Sequence, residues 1–163
     1  MNVIAAKIVS NGLLKGAFDV FDAMLSCTFQ FEVAEPSVIS EEDLGTQLAQ
    51  FPVALQGKIQ NDLGSVAILF SVNDAARFSA LIQEQEFTET EALSDDDRSM
   101  LKEIADPALG GGVTNLMERF GRNVEQLEEV QVIDSGADNA AALAALIGAE
   151  GGMATFTFTN NAD

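Results

Sequence analysis

The sequence predicts an α/β (α+β) domain in which a long antiparallel sheet packs against two long helices. Three observations point there. Leu13 to Leu25 and Asp95 to Phe120 carry apolar residues at helical spacing; several short runs between and after them are built from β-formers; and the two central runs are joined by a spacer of hairpin composition. At 163 residues with 47% apolar content, the chain can fill one core without metal or disulfide support, so residues 1–163 are expected to form a single domain.

In the first helix, Leu13, Leu14, Ala17, Phe18, Phe21, Met24 and Leu25 define the apolar stripe, with Lys15, Asp19 and Asp22 turned away. Ser10 or Asn11 is the expected cap. Thr28 to Val33 alternates toward period two and stops at Pro36, which predicts a strand. Ser40 to Gln50 reads as a polar connection. Two strands follow, Val53 to Ile59 and Ser65 to Ser71, across the spacer Gln60-Asn61-Asp62-Leu63-Gly64. Asp74 to Ile82 returns to helical periodicity through Ala75, Phe78, Leu81 and Ile82.

Glu84 to Asp97 is rich in acids, carries no base, and reads as a solvated connection. Its end, Ser94-Asp95-Asp96-Asp97, supplies an N-cap and negative charge where a helix dipole favours it. The helix that follows should bend or break near Asp106, because Pro107 and then Gly110-Gly111-Gly112 interrupt it. Gly121 is placed to close it after Phe120. Val130 to Ile133 reads as a strand, Ala140 to Ile147 as a short Ala-rich helix or loop, and Met153 to Thr159 as one alternating strand.

Charge and side-chain inventory exclude several functions. Lys and Arg total 8 against 26 acids, a net charge of -18 that repels nucleic-acid phosphates and anionic lipid. The chain has no His and a single Cys, Cys27, which removes His-based acid/base chemistry, thiolate zinc sites and a Cys-His dyad. Cys27 reads as a small core residue. No run approaches a membrane span or a signal sequence, so a soluble cytoplasmic protein is expected. The glycine triplet lacks the Lys-Ser/Thr pair of a phosphate loop, and close helix packing or local bending explains it better.

The most informative run is Ser99-Met-Leu-Lys-Glu103-Ile-Ala-Asp106. Ser99, Glu103, Asp106 and Gly110 follow i, i+4, i+7, i+11, which a helix lines up on one face, away from Met100, Leu101, Ile104, Ala105 and Ala108, with Leu116 and Phe120 continuing the stripe expected to be buried. Taken alone, such a carboxylate pair is usually a solvated face.

The stretch Leu44 to Ile82, with Phe51-Pro52, Gly64, Ala67-Ile68-Leu69-Phe70 and Asp74-Ala75-Ala76-Arg77, resembles the CheC, CheX and FliY family of chemotaxis phosphatases. Ser99-x3-Glu103-x2-Asp106, followed by Gly110 and Asn115-Leu116, resembles that family's active-site helix, whose pattern is Asp/Ser-x3-Glu-x2-Asn with a Pro further on. Ser99 and Glu103 match, Asp106 replaces the Asn, and Glu129 stands where spacing places the Pro. Ile8 to Leu25 offers no second copy of the motif, so the likeness leans toward CheX-like members or the N-terminal region of FliY-like ones.

The resemblance implies binding of a phosphorylated CheY-type response regulator, with Glu103 and Asp106 catalytic and Ser99 and Gly110 binding. In the family the Glu engages a lysine of the regulator and the Asn amide orients the water that attacks the acyl phosphate. No cofactor of the chain's own is implied, and the Mg ion belongs to the regulator. Flagellar switch proteins and a second copy in a homodimer complete the expected partners; the alternative is a non-catalytic flagellar-switch or scaffold domain of the same fold.

Overall fold

The structure, a computed structural model, describes residues 3–25, 28–60, 64–123, 126–134 and 151–160. Helix α1 (Val3–Leu25) starts well before the expected cap and runs straight through Ser10, Asn11 and Gly12. The cap at Ser10 or Asn11 is therefore wrong. Ala6, buried to 1% exposure, extends the apolar stripe by two turns, and burying it outweighs the local preference of Ser and Asn for a helix start.

Strand β1 (Phe29–Val33) and strand β2 (Ser37–Ile39) flank Pro36, which has no N–H to give to a ladder. Their antiparallel partners break at the matching place. Strand β6 (Gly151–Met153) pairs with β2, and strand β7 (Phe156–Asn160) pairs with β1, so the one strand expected over Met153 to Thr159 is two. Across the break, the Ala34 N–H donates to the Thr155 carbonyl at 2.8 Å.

The polar stretch after β2 is a helix, α2 (Glu41–Gln50), rather than a connection. Its signal was local: Ser40 and Asp43 close a capping box in which the Asp43 N–H donates to Ser40 Oγ and the Ser40 N–H donates back to Asp43 Oδ2. Strands β3 (Val53–Ile59) and β4 (Gly64–Phe70) form the expected antiparallel pair, in register from Val53 opposite Phe70 to Ile59 opposite Gly64. On the other side β3 pairs with β5 (Leu127–Asp134), which begins three residues earlier than its apolar run suggested and bulges opposite Gly57, where Glu129 takes φ 54°.

Helix α3 (Val72–Ile82) is capped by Ser71, and helix α4 (Asp95–Arg119) by Ser94. Against expectation, α4 is unbroken through Pro107 and the glycines. Buried residues on both sides of the proline, Ile104, Ala105, Ala108 and Leu109, hold the helix on the core, while the proline ring itself is exposed. At the far end, the Arg122 N–H donates to the Met117 carbonyl and the Gly121 N–H to that of Glu118, with Gly121 at φ 62°. That is a Schellman turn closing the helix as Gly121 predicted.

Helices α1 and α4 cross antiparallel at their glycines. A Cβ built on Gly16 would lie 2.1 Å from the Gly111 carbonyl oxygen, and one on Gly112 would lie 2.7 Å from that of Leu13. The triplet thus serves close packing. Around the crossing, Phe18, Phe21, Phe29 and Phe78 form the aromatic centre of the core, with ring centroids of Phe21 and Phe78 4.9 Å apart. Leu101, Ile104 and Leu116 are buried as expected, and Leu13 half-buried. Phe120 and Met24 are not: they are 52% and 47% exposed, because each lies at a helix end beyond the crossing.

Pairing is antiparallel throughout, in ladders β4-β3-β5, β1-β7 and β2-β6. Among the described residues no helix is long and apolar enough to cross a membrane. The expectations for Cys27, for Asn61 to Leu63 of the hairpin spacer, and for Ala140 to Ile147 lie outside the described residues.

Candidate functional site

Helix α4 is positioned from both ends before it presents anything. At its start, Ser94 Oγ and the Ser94 N–H both donate to Asp97 Oδ2, at 2.6 and 2.9 Å, while the Asp97 N–H returns to Ser94 Oγ. Burial pushes the Asp97 carboxyl up, but hydrogen bonds from the Ser94 hydroxyl, from buried Ser79 on α3 and from the Ser94 N–H, together with the Arg98 charge, hold it below the usual carboxylate range. Arg98 then ties this first turn to the sheet. Its Nη2 lies 2.8 Å from Asp134 Oδ2 at the end of β5 and its Nη1 3.0 Å from Asp95.

On this fixed helix, Leu101, Ile104, Ala105, Ala108 and Leu109 face the core, and Ser99, Glu103 and Asp106 are exposed on the other side. Gly110 is half-buried, with open space where a Cβ would stand. The four residues picked out by spacing therefore share one face. Ser99 Oγ donates back to the Asp95 carbonyl at 2.9 Å, so its proton is engaged within the helix and its lone pairs point outward. Neither Glu103 nor Asp106 has a Lys or Arg partner among the described residues.

One feature of the face escaped the sequence reading. Pro107 has no N–H, so the Glu103 carbonyl, which an ordinary residue at that position would cap, keeps its acceptor capacity. The two carboxylates thus stand within one turn of a carbonyl that lacks its usual i+4 donor. The signal was present in the spacing Glu103-x3-Pro107, read there as a break rather than as an acceptor. Gly16, which lets α1 approach the glycine triplet, was also missed; Gly12-x3-Gly16 on one helix facing glycines on another is its signature. The Arg98 to Asp134 bridge joins residues 36 apart in the chain and had no local signal.

Chemically, the carboxylates of the face accept hydrogen bonds and attract cations, and exposed Lys102, one turn before Asp106, is the donor at its border. Among the described residues, no three or more potential metal ligands are gathered.

No family model matches the sequence, and no curated protein does. Solved structures do match in fold. The FliY structure of Thermotoga maritima superposes with a TM-score of 0.79 over 95% of this chain and 81% of its own, at 14% identity. A CheC-like superfamily protein from Shewanella sp. PV-4 gives 0.57 over 83% and 79%, at 17% identity. The H. pylori FliM-SpeE complex gives 0.67 over 98% and 82%, at 7% identity. The fold of this chain is that of FliY and CheC-like structures, as the resemblance implied.

Proposed function

We propose that this chain, which has the fold of FliY and CheC-like structures, is a chemotaxis or flagellar-switch domain that binds a phosphorylated CheY-type response regulator through the Ser99, Glu103, Asp106 and Gly110 face of α4. The observation that carries the reading is the pair Glu103 and Asp106, exposed and without a basic partner among the described residues, on a helix whose opposite side is core. Charges left unneutralised on a rigid element are poised to take a cation from outside. Glu103 would receive a lysine of the regulator, and Gly110 would let the regulator's backbone come close.

Dephosphorylation is the slower part of the proposal. An amide at position 106 would donate and accept at once, and so could orient a water and steady the phosphoryl oxygens together; the ionised carboxylate of Asp106 accepts only. It can hold a water by its protons. It also adds negative charge beside the transferred group, which the Mg ion on the regulator would have to offset. The test is the loss of label from phosphorylated CheY with and without the chain, beside direct binding of the phosphorylated and unphosphorylated forms. Binding specific to the phosphorylated form with modestly faster loss is expected, and no binding refutes the site. Binding without faster loss would favour the alternative, a non-catalytic switch or scaffold domain.

A further inference from the structure

Strand β4 sits at the edge of its sheet and carries none of the usual protections of an edge. Its sequence, Gly64-Ser-Val-Ala-Ile-Leu-Phe70, has no charge and no proline, in a chain where 21% of residues are charged. Among the described residues it is hydrogen-bonded to β3 alone, so every second residue turns its N–H and C=O away from the ladder. The strand is closed off only in part, with Gly64 and Ala67 exposed and Ile68 and Phe70 buried. All seven residues of β4 line a cleft of about 710 Å³ that is also lined by Ile39, Met153 and Phe156 and by Leu13, Leu14 and Ala17 of α1. Backbone polar groups in an apolar cleft call for a partner with the same hydrogen-bond repeat, which is another strand.

The charged residues that line the cleft are Asp74 and Arg122, and they sit at opposite ends. Asp74 follows the Phe70 end, four residues on and at the start of α3. Arg122 is bonded through its N–H to Met117, which packs with Ile59 and Val66 at the Gly64 end. We propose that this cleft receives an extended segment of a partner protein as an added strand on β4, antiparallel to it, with a basic residue toward Asp74 and an acidic residue toward Arg122. The antiparallel direction is the more stable pairing and is the one every ladder of this fold uses. A second copy of this chain, paired antiparallel, would also set its Arg122 against Asp74 and its Asp74 against Arg122, but two bodies of net charge -18 repel, which disfavours it. The site is separate from the α4 face and does not depend on its reading.

The test uses the whole chain and a fluorescein-labelled peptide, Lys-Val-Thr-Val-Thr-Val-Glu, followed by anisotropy, with amide exchange on β4. Saturable binding is expected, with β4 amides exchanging faster than those of β3 in the free chain and slowing when the peptide is bound. Arg122 is exposed, so Arg122→Glu leaves the fold intact; it should weaken this peptide by about tenfold and favour one ending in Lys by a similar factor. Such an exchange of preference is beyond a merely structural role. The proposal is overturned if neither peptide binds, if binding ignores the charge at Arg122, or if β4 amides in the free chain are as protected as those of β3, because other residues of the chain then fill the cleft. Protection of β4 that rises with chain concentration overturns it in favour of a second copy.

Discussion

Adding one methyl group at Gly16 and one at Gly110 should move stability in opposite directions. At Gly16 the new Cβ would lie 2.1 Å from the Gly111 carbonyl oxygen and 2.8 Å from Asn115 Cβ, and the first of these is backbone that cannot rotate aside. The helices must separate, loosening the packing of Phe18 and Leu109 around the crossing. Overpacking of this kind costs typically 1–3 kcal/mol, and a backbone clash belongs at the upper end, so Gly16→Ala is expected to cost about 3 kcal/mol. For a chain of this size that is a fall in melting temperature of roughly 6–12 °C. At Gly110 nothing lies within 4 Å of the added Cβ, so only the helix preference of Ala over Gly remains, worth about 0.5–1 kcal/mol of stabilisation. Thermal melts followed by circular dichroism decide the matter. On the proposed reading of the α4 face, Gly110→Ala should also weaken phosphorylated-regulator binding while raising the melting temperature. If Gly16→Ala melts with the parent, the crossing is not as tight as described; if Gly110→Ala melts below it, the space beside Gly110 is not open.

Phe21→Ala should cost about 3–5 kcal/mol in denaturant unfolding, since the ring is 1% exposed between Phe18, Phe29 and Phe78; a cost under about 1 kcal/mol would place it outside the core. The caps of α4 and α2 should respond to acid. Asp97 and Asp43 are held below their ordinary value of 3.8, so what they contribute is present above that value and lost as pH falls through the lower folded one; amides at the start of α4 should lose protection as the pH is taken below 3.8, and unchanged protection would refute it. Asp106→Asn should raise the rate at which phosphorylated CheY loses its label, and Glu103→Ala in that background should abolish the gain. A faster native Asp106 form would show the charge argument to be wrong.

How much could be read in advance depended on whether a segment's local chemistry agreed with its place in the fold. The β3–β4 hairpin and the start of α4 were legible because apolar pattern, turn residues and caps all point the same way. The first half of α1 was not: Ser10, Asn11 and Gly12 signal a helix start, yet Gly12 lies in mid-helix where Leu116 and Arg119 of α4 come within 3.4 Å of its missing Cβ. Tertiary packing set that boundary. Helix α2 was hidden by its scarcity of apolar residues, although its capping box was plain, and the first half of β5 by Glu128 and Glu129 at an exposed bulge. The α4 face followed from spacing alone, whereas what it would bind came only from resemblance.

Pro107 is where local chemistry and tertiary packing conflict most directly. Read as a helix breaker it seemed to threaten the aim of Glu103 and Asp106; in the structure the core contacts of Ile104, Ala105, Ala108 and Leu109 keep the helix whole, and the missing bond falls on the exposed side. Its consequence is confined to one lost bond to the Glu103 carbonyl, and the two carboxylates keep their places. The carboxylates Glu103 and Asp106 discriminate between what a phosphorylated regulator offers: they favour a lysine, which brings three donors and a charge, and disfavour the phosphoryl oxygens, which bring neither. On the proposed reading the regulator is therefore gripped by its lysine, and the phosphoryl group is approached only through a water held by Asp106. Recognition is then the stronger half of the function, and one amide at position 106 is the smallest change that would strengthen the other half.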